Sequence, residues 1–274
     1  KVLKYPDIDK RRINRGVAGG VGRTKRHREF VEILESHPAI DHLLIDSEPD
    51  GGVAARKNQI LMFVEAMAQE KADALIYGNN ELDEEEIDGL TTRYNSTALA
   101  NVTGMSGTGS DTTSLWMVEW DRNRCHMIYP RAVPNGGEYL GISREDMGKQ
   151  RIVDDDGKSY YAYEDVIRVS FGWNILDDRC VQRLVNIESA GSSNTLFDTA
   201  KINELVYAIN RLPNFGRNAI IYVNRDLKSQ FDIYGLNKLL GCTTVEQTTG
   251  GPVTLFRGIP IRLMEAIAST ETNI

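Results

Sequence analysis

Hydrophobic residues recur at helical spacing most clearly between Val53 and Tyr77, where neither proline nor glycine interrupts the chain. Ile60, Val64, Met67 and Lys71 fall on one stripe, with Leu61, Ala68, Ala72 and Leu75 beside it. This spacing predicts one continuous helix, started at Asp50-Gly51-Gly52 and stopped at Gly78-Asn79-Asn80. At about 1.5 Å per residue it is on the order of 35 Å long, more than the average globular helix, and reads as a spine. A period of two takes over from Thr113 to Trp120, with Trp116, Val118 and Trp120 on one face. Arg122-Asn123 turns the chain and Cys125 to Tyr129 returns as a second strand. Tyr160 to Ile175 and Arg179 to Ile187 are further extended stretches. Between Pro130 and Ser159 the turn signals Asn135-Gly136-Gly137 and Asp154-Asp155-Asp156-Gly157 predict loop.

The last third changes rhythm. Phe197 to Leu212 is an amphipathic helix with Ile202, Leu205, Val206 and Ile209 inward, stopped at Pro213. Ala219 to Val223 reads as a buried strand, and Asn224 caps a short helix through Tyr234. Val253–Phe256 and Ile259–Met264 form a hairpin around Arg257-Gly258. Phe30 to Leu34 has no assignable period, and Pro38 precedes a short apolar patch, Ile40 to Ile45. The sum is a mixed α+β chain without internal repeats.

Residues 1–28 differ in kind. Their hydrophobic periodicity is weak, and Gly16-Val17-Ala18-Gly19-Gly20-Val21-Gly22 separates two charged flanks as a flexible loop. They hold ten Lys and Arg against two Asp, a balance of +8, which leaves −15 for the rest of a chain whose net charge is −7. Such an arm cannot bury a face by itself and orders against a partner. That partner is either nucleic acid or the acidic body of another copy. The arginines do not alternate with aromatic residues as in a base-stacking groove, which favours protein contact.

At 274 residues, with 41% hydrophobic and 26% charged positions, the chain is an ordinary soluble protein of one large domain or two smaller ones. Its apolar runs are too short to span a bilayer. A chain opening on Lys1 is expected to be a processed, trimmed or partly ordered form of a longer product, and no charged-then-apolar leader marks it for secretion. Cys125, Cys180 and Cys242 stand singly, as buried structural thiols in a reducing compartment do. His27, His37, His42 and His126 form no metal or triad spacing. Gly104 to Ser110 is glycine-rich but lacks a phosphate-binding lysine and leads into a strand, so it reads as a flexible connector. The acidic run Glu81 to Asp88 reads as a solvated turn. The sequons at Asn95 and Asn101 carry no weight without a secretion signal. A hydrolase built on Asp111, Asp154 and Asp156 is the weakest reading, and a nucleic-acid-binding protein using the basic arm is the other alternative. No catalytic, cofactor or metal site is expected.

Several stretches, in order and spacing, resemble the major capsid proteins of short-tailed phages related to the Salmonella phage epsilon group. They are Glu65 to Glu70 with Leu75 to Asn79, Gly89 to Asn95, Gly107 to Trp120 with His126 to Pro130, Tyr222 to Arg225, and Phe256 to Arg262. The resemblance covers most of residues 50–265; residues 1–48 match less clearly, and the family's longer N-terminal arm is missing. It implies the Hong-Kong-97-type capsid fold: an extended loop, a spine helix with a long β-sheet, and a mixed α/β axial domain.

Laid on this chain, residues 1–40 are the extended loop and 41–189 a peripheral domain with the spine at 53–77. Residues 190–255 are the axial domain, and 256–274 return to the periphery. The implied function is self-assembly into an icosahedral shell around double-stranded phage DNA, in the bacterial cytoplasm and then in the virion. The implied partners are other copies in pentamers and hexamers, a portal, a scaffold and a decoration protein, with packaged DNA nearby and no membrane. Lys10, Arg11, Arg12, Arg15, Arg23, Lys25, Arg26 and Arg28 are the candidates for contact with a neighbouring copy.

Overall fold

The computed structural model describes residues 2–48, 52–130, 141–188, 199–236, 243–248 and 251–274. Its first elements are β1 (Val2–Lys4), β2 (Arg23–Thr24), β3 (Glu32–Ser36), β4 (Ala39–Asp41), α1 (His42–Asp46), α2 (Val53–Tyr77) and α3 (Leu90–Arg93). There follow β5 (Val102–Gly104), β6 (Thr112–Glu119), β7 (Cys125–Ile128), β8 (Ile142–Val153), β9 (Ser159–Ile175) and β10 (Val181–Glu188). The last are α4 (Thr199–Arg211), β11 (Ala219–Val223), α5 (Arg225–Leu236), β12 (Thr243–Thr248), β13 (Gly251–Phe256) and β14 (Ile259–Leu263). They form two compact units, one of residues 1–29, 94–126 and 174–274, the other of residues 30–93 and 127–173.

In the first unit a seven-stranded sheet runs β12-β13-β14-β11-β6-β10-β5. β6 lies antiparallel between β10 and β11, and all eight of its residues are buried. Its period of two therefore does not divide core from solvent, because both faces are covered. Leu115 and Met117 join Leu205, Ile209, Leu227 and Phe231 in a core between the sheet and α4 and α5. Asn224 caps α5 as expected, accepting from Leu227 N at 2.9 Å, and also donates to Thr113 Oγ1 at 3.2 Å. Arg257 (φ 51°) and Gly258 (φ 82°) are both left-handed, the conformation that a two-residue hairpin turn between β13 and β14 requires.

The opposite face of β6 covers a charge. Arg183 on β10 is 1% exposed. Its Nη2 lies 3.1 Å from Glu271 Oε2, Nε donates to Ser114 Oγ at 3.1 Å, and Nη1 donates to Tyr94 O at 2.8 Å. The guanidinium lies 4.7 Å from the centre of the Trp116 ring. Around this pair the C-terminal segment is strapped to the sheet. Thr112 Oγ1 donates to Glu271 O, Thr113 Oγ1 donates to Ala268 O, and the Asn186 side chain bonds both backbone groups of Ile274.

In the second unit β9 is the central strand. It pairs with β8 from Ser159 to Val169 and with β3 and β4 on its other side. β8 corrects the loop expected between Pro130 and Ser159: a strand of mostly exposed, charged residues, steadied by its ladder and not by burial. The expected turn at Asn135 lies outside the described residues. β7 pairs with β9, whereas the sequence suggested a return alongside β6; only Asp121 and Cys125 bridge there.

α2 spans Val53–Tyr77 without a break. Gly52, left-handed at φ 72°, caps it where a Cβ would fall 2.4 Å from Ile45 Cγ2, so α1 and α2 meet only across glycine. Asp50 and Gly51 lie outside the described residues. Contacts that tie α2 to β9 include Arg56 to Asp165 Oδ2 at 2.9 Å and over the Tyr163 ring at 5.4 Å, Lys71 Nζ over the Phe171 ring at 5.3 Å, and Trp173 Nε1 to Leu75 O at 3.0 Å. Burial pushes the Lys71 pKa down. The helix buries a thinner ridge than its two stripes suggested, and Leu61, Met62 and Val64 remain exposed.

The domain boundary expected near residue 190 falls outside the described residues. β6 and β10, assigned by the resemblance to the spine helix's domain, share one sheet with β11 from the axial segment.

The Arg183–Glu271 pair yields the first prediction. Glu271→Ala strands a buried cation and should lower stability by about 3–5 kcal/mol in denaturant unfolding, whereas Arg183→Met with Glu271→Leu should recover most of the loss. Recovery no better than in the single variant refutes a mainly electrostatic role.

A second prediction concerns Glu32, buried at the start of β3 with its Oε2 accepting from Ile87 N at 3.2 Å. Burial pushes its pKa up, helped by the charges of Glu86, Glu70 and Asp83, although the bond from Ile87 opposes the shift. A carboxyl raised in the folded state favours folding in its protonated form, so stability is full at low pH and declines as pH rises through the folded pKa. Glu32→Gln, which keeps the acceptor, should raise Tm at pH 8 and lose that advantage below about pH 4, the ordinary carboxylate range. An equal Tm difference at both pH values contradicts this.

Candidate assembly surface

The eight candidate cations lie on a narrow ribbon. β1 and β2 pair antiparallel at its root, and the two legs pass so closely that a Cβ on Gly20 would sit 2.5 Å from Asp7 O. Arg15 N donates to Arg12 O at 3.2 Å, and Asn14 is left-handed at φ 60°. That turn brings Lys10, Arg11, Arg12 and Arg15 together at one end, while Arg23, Lys25, Arg26 and Arg28 line the returning leg. Every side chain from Tyr5 to Arg28 is exposed, among them Ile8 at 90% and Ile13 at 94%. The ribbon thus offers cations and bare apolar side chains together, and the apolar part was not singled out in the sequence.

Carboxylates of opposite sign are exposed on the second unit. Glu81, Asp83, Glu84 and Glu85 stand on the loop after α2. This acidic run is a turn, as expected, and much of its polarity serves the backbone. Glu86 Oε2 accepts from Asn79 N at 2.9 Å, and Asp83 Oδ1 accepts from Glu85 N at 2.9 Å. Gly78 ends the helix at φ −48°, not in the left-handed form of a usual glycine stop. Glycine is needed there for space, because a Cβ would meet Ile87 O at 2.5 Å and Ala74 O at 2.6 Å. On the same unit His37 bridges β3 and β9, with Nδ1 3.0 Å from Glu164 Oε1 and Nε2 2.9 Å from Glu35 Oε1. Bonds to Glu164 and then Glu35 push its pKa up. Arg168 pulls the Glu35 pKa down.

The residues that carried enzymatic alternatives are occupied in structural roles. Asp154 Oδ1 accepts from Asp156 N and Lys158 N to close the β8–β9 turn, and Asp156 pairs with Lys158 at 3.2 Å. Asp111 belongs to the other unit. His42 Nδ1 is 2.9 Å from Tyr161 O, and His126 Nε2 is 3.1 Å from Asn174 Nδ2. Cys125 and Cys180 are buried, and burial followed by Asp177 pushes the Cys180 thiol up to about 12, far from a reactive thiolate. Cys242 lies outside the described residues. Among the described residues no group of three or more His, Cys, Asp or Glu is arranged to hold a metal ion, and no helix is long and apolar enough to cross a membrane.

The glycine-rich stretch is neither a phosphate cradle nor the loose connector expected. Met105 N and Gly107 N each donate to a β10 carbonyl at 2.9 Å, and a Cβ on Gly107 would fall 2.3 Å from Asn186 O. Its Gly107 permits close approach to a strand, and the N–H groups of Met105, Gly107 and Thr108 are already used.

No curated protein sequence matches the chain. A chain of bacteriophage epsilon15 is similar in structure, with a TM-score of 0.62 at 21% identity, covering 100% of this chain and 83% of that one. The SrpI encapsulin of Synechococcus elongatus matches with a TM-score of 0.44 at 11% identity, over 61% of this chain and 78% of that one. The first similarity carries the Hong-Kong-97-type fold. The family model described as major capsid protein GP7 matches residues 3–274. With all but the first two residues inside that match, the chain belongs to this family of major capsid proteins, and it is a shell-forming capsid protein.

Proposed function

We propose that copies of this subunit are joined by the basic ribbon of one lying on the acidic surface of the next, and that its work is structural and not catalytic. The observation that carries the reading is the charge split: +8 on residues 1–28 and −15 on the rest, with every ribbon side chain from Tyr5 exposed. A ribbon of this composition gains little by folding onto itself. Laid on a carboxylate surface, its cations are neutralised, and Ile8, Ile13 and Val21 leave water. The exposed carboxylates from Glu81 to Glu85 are a suitable receiving surface. Contacts of this kind are heterologous, so each copy both gives a ribbon and receives one, and closed rings follow when the rotation closes.

In this reading residues 1–29 are the extended loop. The unit of α2 and the long β8–β9 hairpin is peripheral, and the seven-stranded sheet with α4 and α5 is axial. Pentamers and hexamers form in the host cytoplasm with a portal and a scaffold, a decoration protein binds outside, and packaged DNA lies against the inner surface without specific contacts. A body of net negative charge limits sticking to that DNA.

Reversing Arg11, Arg12 and Arg15 to Glu tests the proposal. The triple variant should keep the wild-type circular dichroism spectrum and Tm, yet electron micrographs should show shells reduced at least tenfold at moderate salt. Normal shells from the variant would falsify the electrostatic contact. Impaired DNA binding together with normal assembly would point instead to nucleic acid as the ribbon's partner.

A further inference from the structure

The loop between α4 and β11 presents Phe215 in an unusual way. The ring is 76% exposed, and the residue is left-handed at φ 54°, a conformation that a bulky side chain seldom adopts. Neither feature helps the isolated subunit. The surroundings nevertheless impose both. Glu119, fully buried at the end of β6, accepts from Asn214 Nδ2 at 2.6 Å and from Asn214 N at 3.2 Å. On the far side Gly216 passes Ile259 where a Cβ would fall 2.6 Å from Cδ1. Backbone bonds from Phe215 N to Leu212 O and from Ala219 N to Gly216 O close the loop at 3.1 and 3.0 Å. A buried carboxylate and a glycine contact thus hold the segment on both sides of the ring, and the ring points outward from a rigid base.

In the same stretch of chain Tyr207 on α4, Arg211 one turn later and Arg217 are exposed, with Arg211 Nη1 donating to Thr103 Oγ1 at 2.9 Å. Aromatic side chains and arginine are the groups enriched at the centres of protein interfaces, and an anchor whose backbone is already held loses less entropy when it binds. The patch's formal charges are both positive. Outside its first 28 residues the chain carries −15, so a second copy presents the complementary sign.

We infer that Phe215 is a preorganised anchor by which one copy grips a second copy of this chain, at a contact distinct from the basic ribbon. The inference rests on the shell-forming reading for the identity of the partner. Its residue, its rigidity and its place come from the loop itself.

Phe215→Asn keeps a residue that tolerates the left-handed conformation and removes the ring. It should fold with Tm equal to or above wild type, and its shell yield should fall at least tenfold. Phe215→Tyr should assemble like wild type. Phe215→Asn assembling at the wild-type yield overturns the inference. A second measurement stands even where Phe215→Asn fails to fold. F215C is mixed at one part in ten with wild type, and its maleimide labelling is compared in dispersed subunits and in sedimented particles, with wild type as background. Labelling at least tenfold slower in particles supports the anchor, as does exclusion of folded F215C from them. Equal rates overturn it, and so does protection of dispersed subunits by added double-stranded DNA. A wild-type chain that forms no closed particle under any assembly condition overturns the shell-forming reading and this inference with it.

Discussion

The buried ion pair between Arg183 and Glu271 constrains the first unit more than any other contact. A cation this deep in a sheet is tolerable only when its donors are matched. Here three of its nitrogens reach Glu271, Ser114 and Tyr94 O, and a tryptophan ring covers its face. Those partners lie on β6, on the segment before β5, and in the last turn of chain. Satisfying one arginine therefore gathers three stretches widely separated in sequence. The hydrophobic core of the opposite face can then form, since it needs β6 and β10 already in register. A C-terminal segment without regular secondary structure becomes a fixed part of the sheet for the same reason.

The second unit meets its constraint differently. α2 is long and mostly exposed, and it is attached to β9 through a guanidinium, an ammonium over a ring, and an indole N–H on a helix carbonyl. Polar contacts of this type fix direction better than apolar burial does, because each has a preferred geometry. They also leave Leu61, Met62 and Val64 uncovered. A subunit of a shell keeps some of its apolar surface for its neighbours.

How much of this was legible depends on whether burial or pairing shaped the residues. α2, the capped α5 and the β13–β14 turn were readable because each is specified locally: a run free of breakers, an asparagine at the cap, two left-handed positions in a row. β8 was hidden because it is exposed on both faces, so its letters follow solvation and not the pleat. β6 looked half-buried because Trp116 and Val118 share one face of a strand that also carries Thr112, Thr113 and Ser114, yet those hydroxyls are spent on Ala268, Glu271 and Asn224. The charged ribbon was visible as composition. That Lys10, Arg11, Arg12 and Arg15 gather about one turn was not, since a lone asparagine that tolerates the left-handed conformation does not by itself specify a turn at Asn14. Phe215 carried no sequence signal at all; its exposure follows from Glu119 and Gly216, one of them nearly a hundred residues away.

These observations bear on how a chain builds both a stable subunit and a reversible assembly. At Arg183, Glu119 and Asn224 the contacts inside the subunit are buried and hydrogen-bonded to several partners, so their loss is costly. Features facing outward are the reverse: cations on an exposed ribbon, carboxylates on a turn, an aromatic ring on a fixed loop. Exposed charge pairs in water are worth about 0–1 kcal/mol each, and many are needed before a contact holds. Each is individually reversible, so a misplaced copy can leave before the shell closes around it. The anchor inferred at Phe215, at its own contact, would add specificity to the assembly without making it permanent. The division between saturated interior bonds and weak exterior ones lets the subunit keep its shape while its neighbours are exchanged.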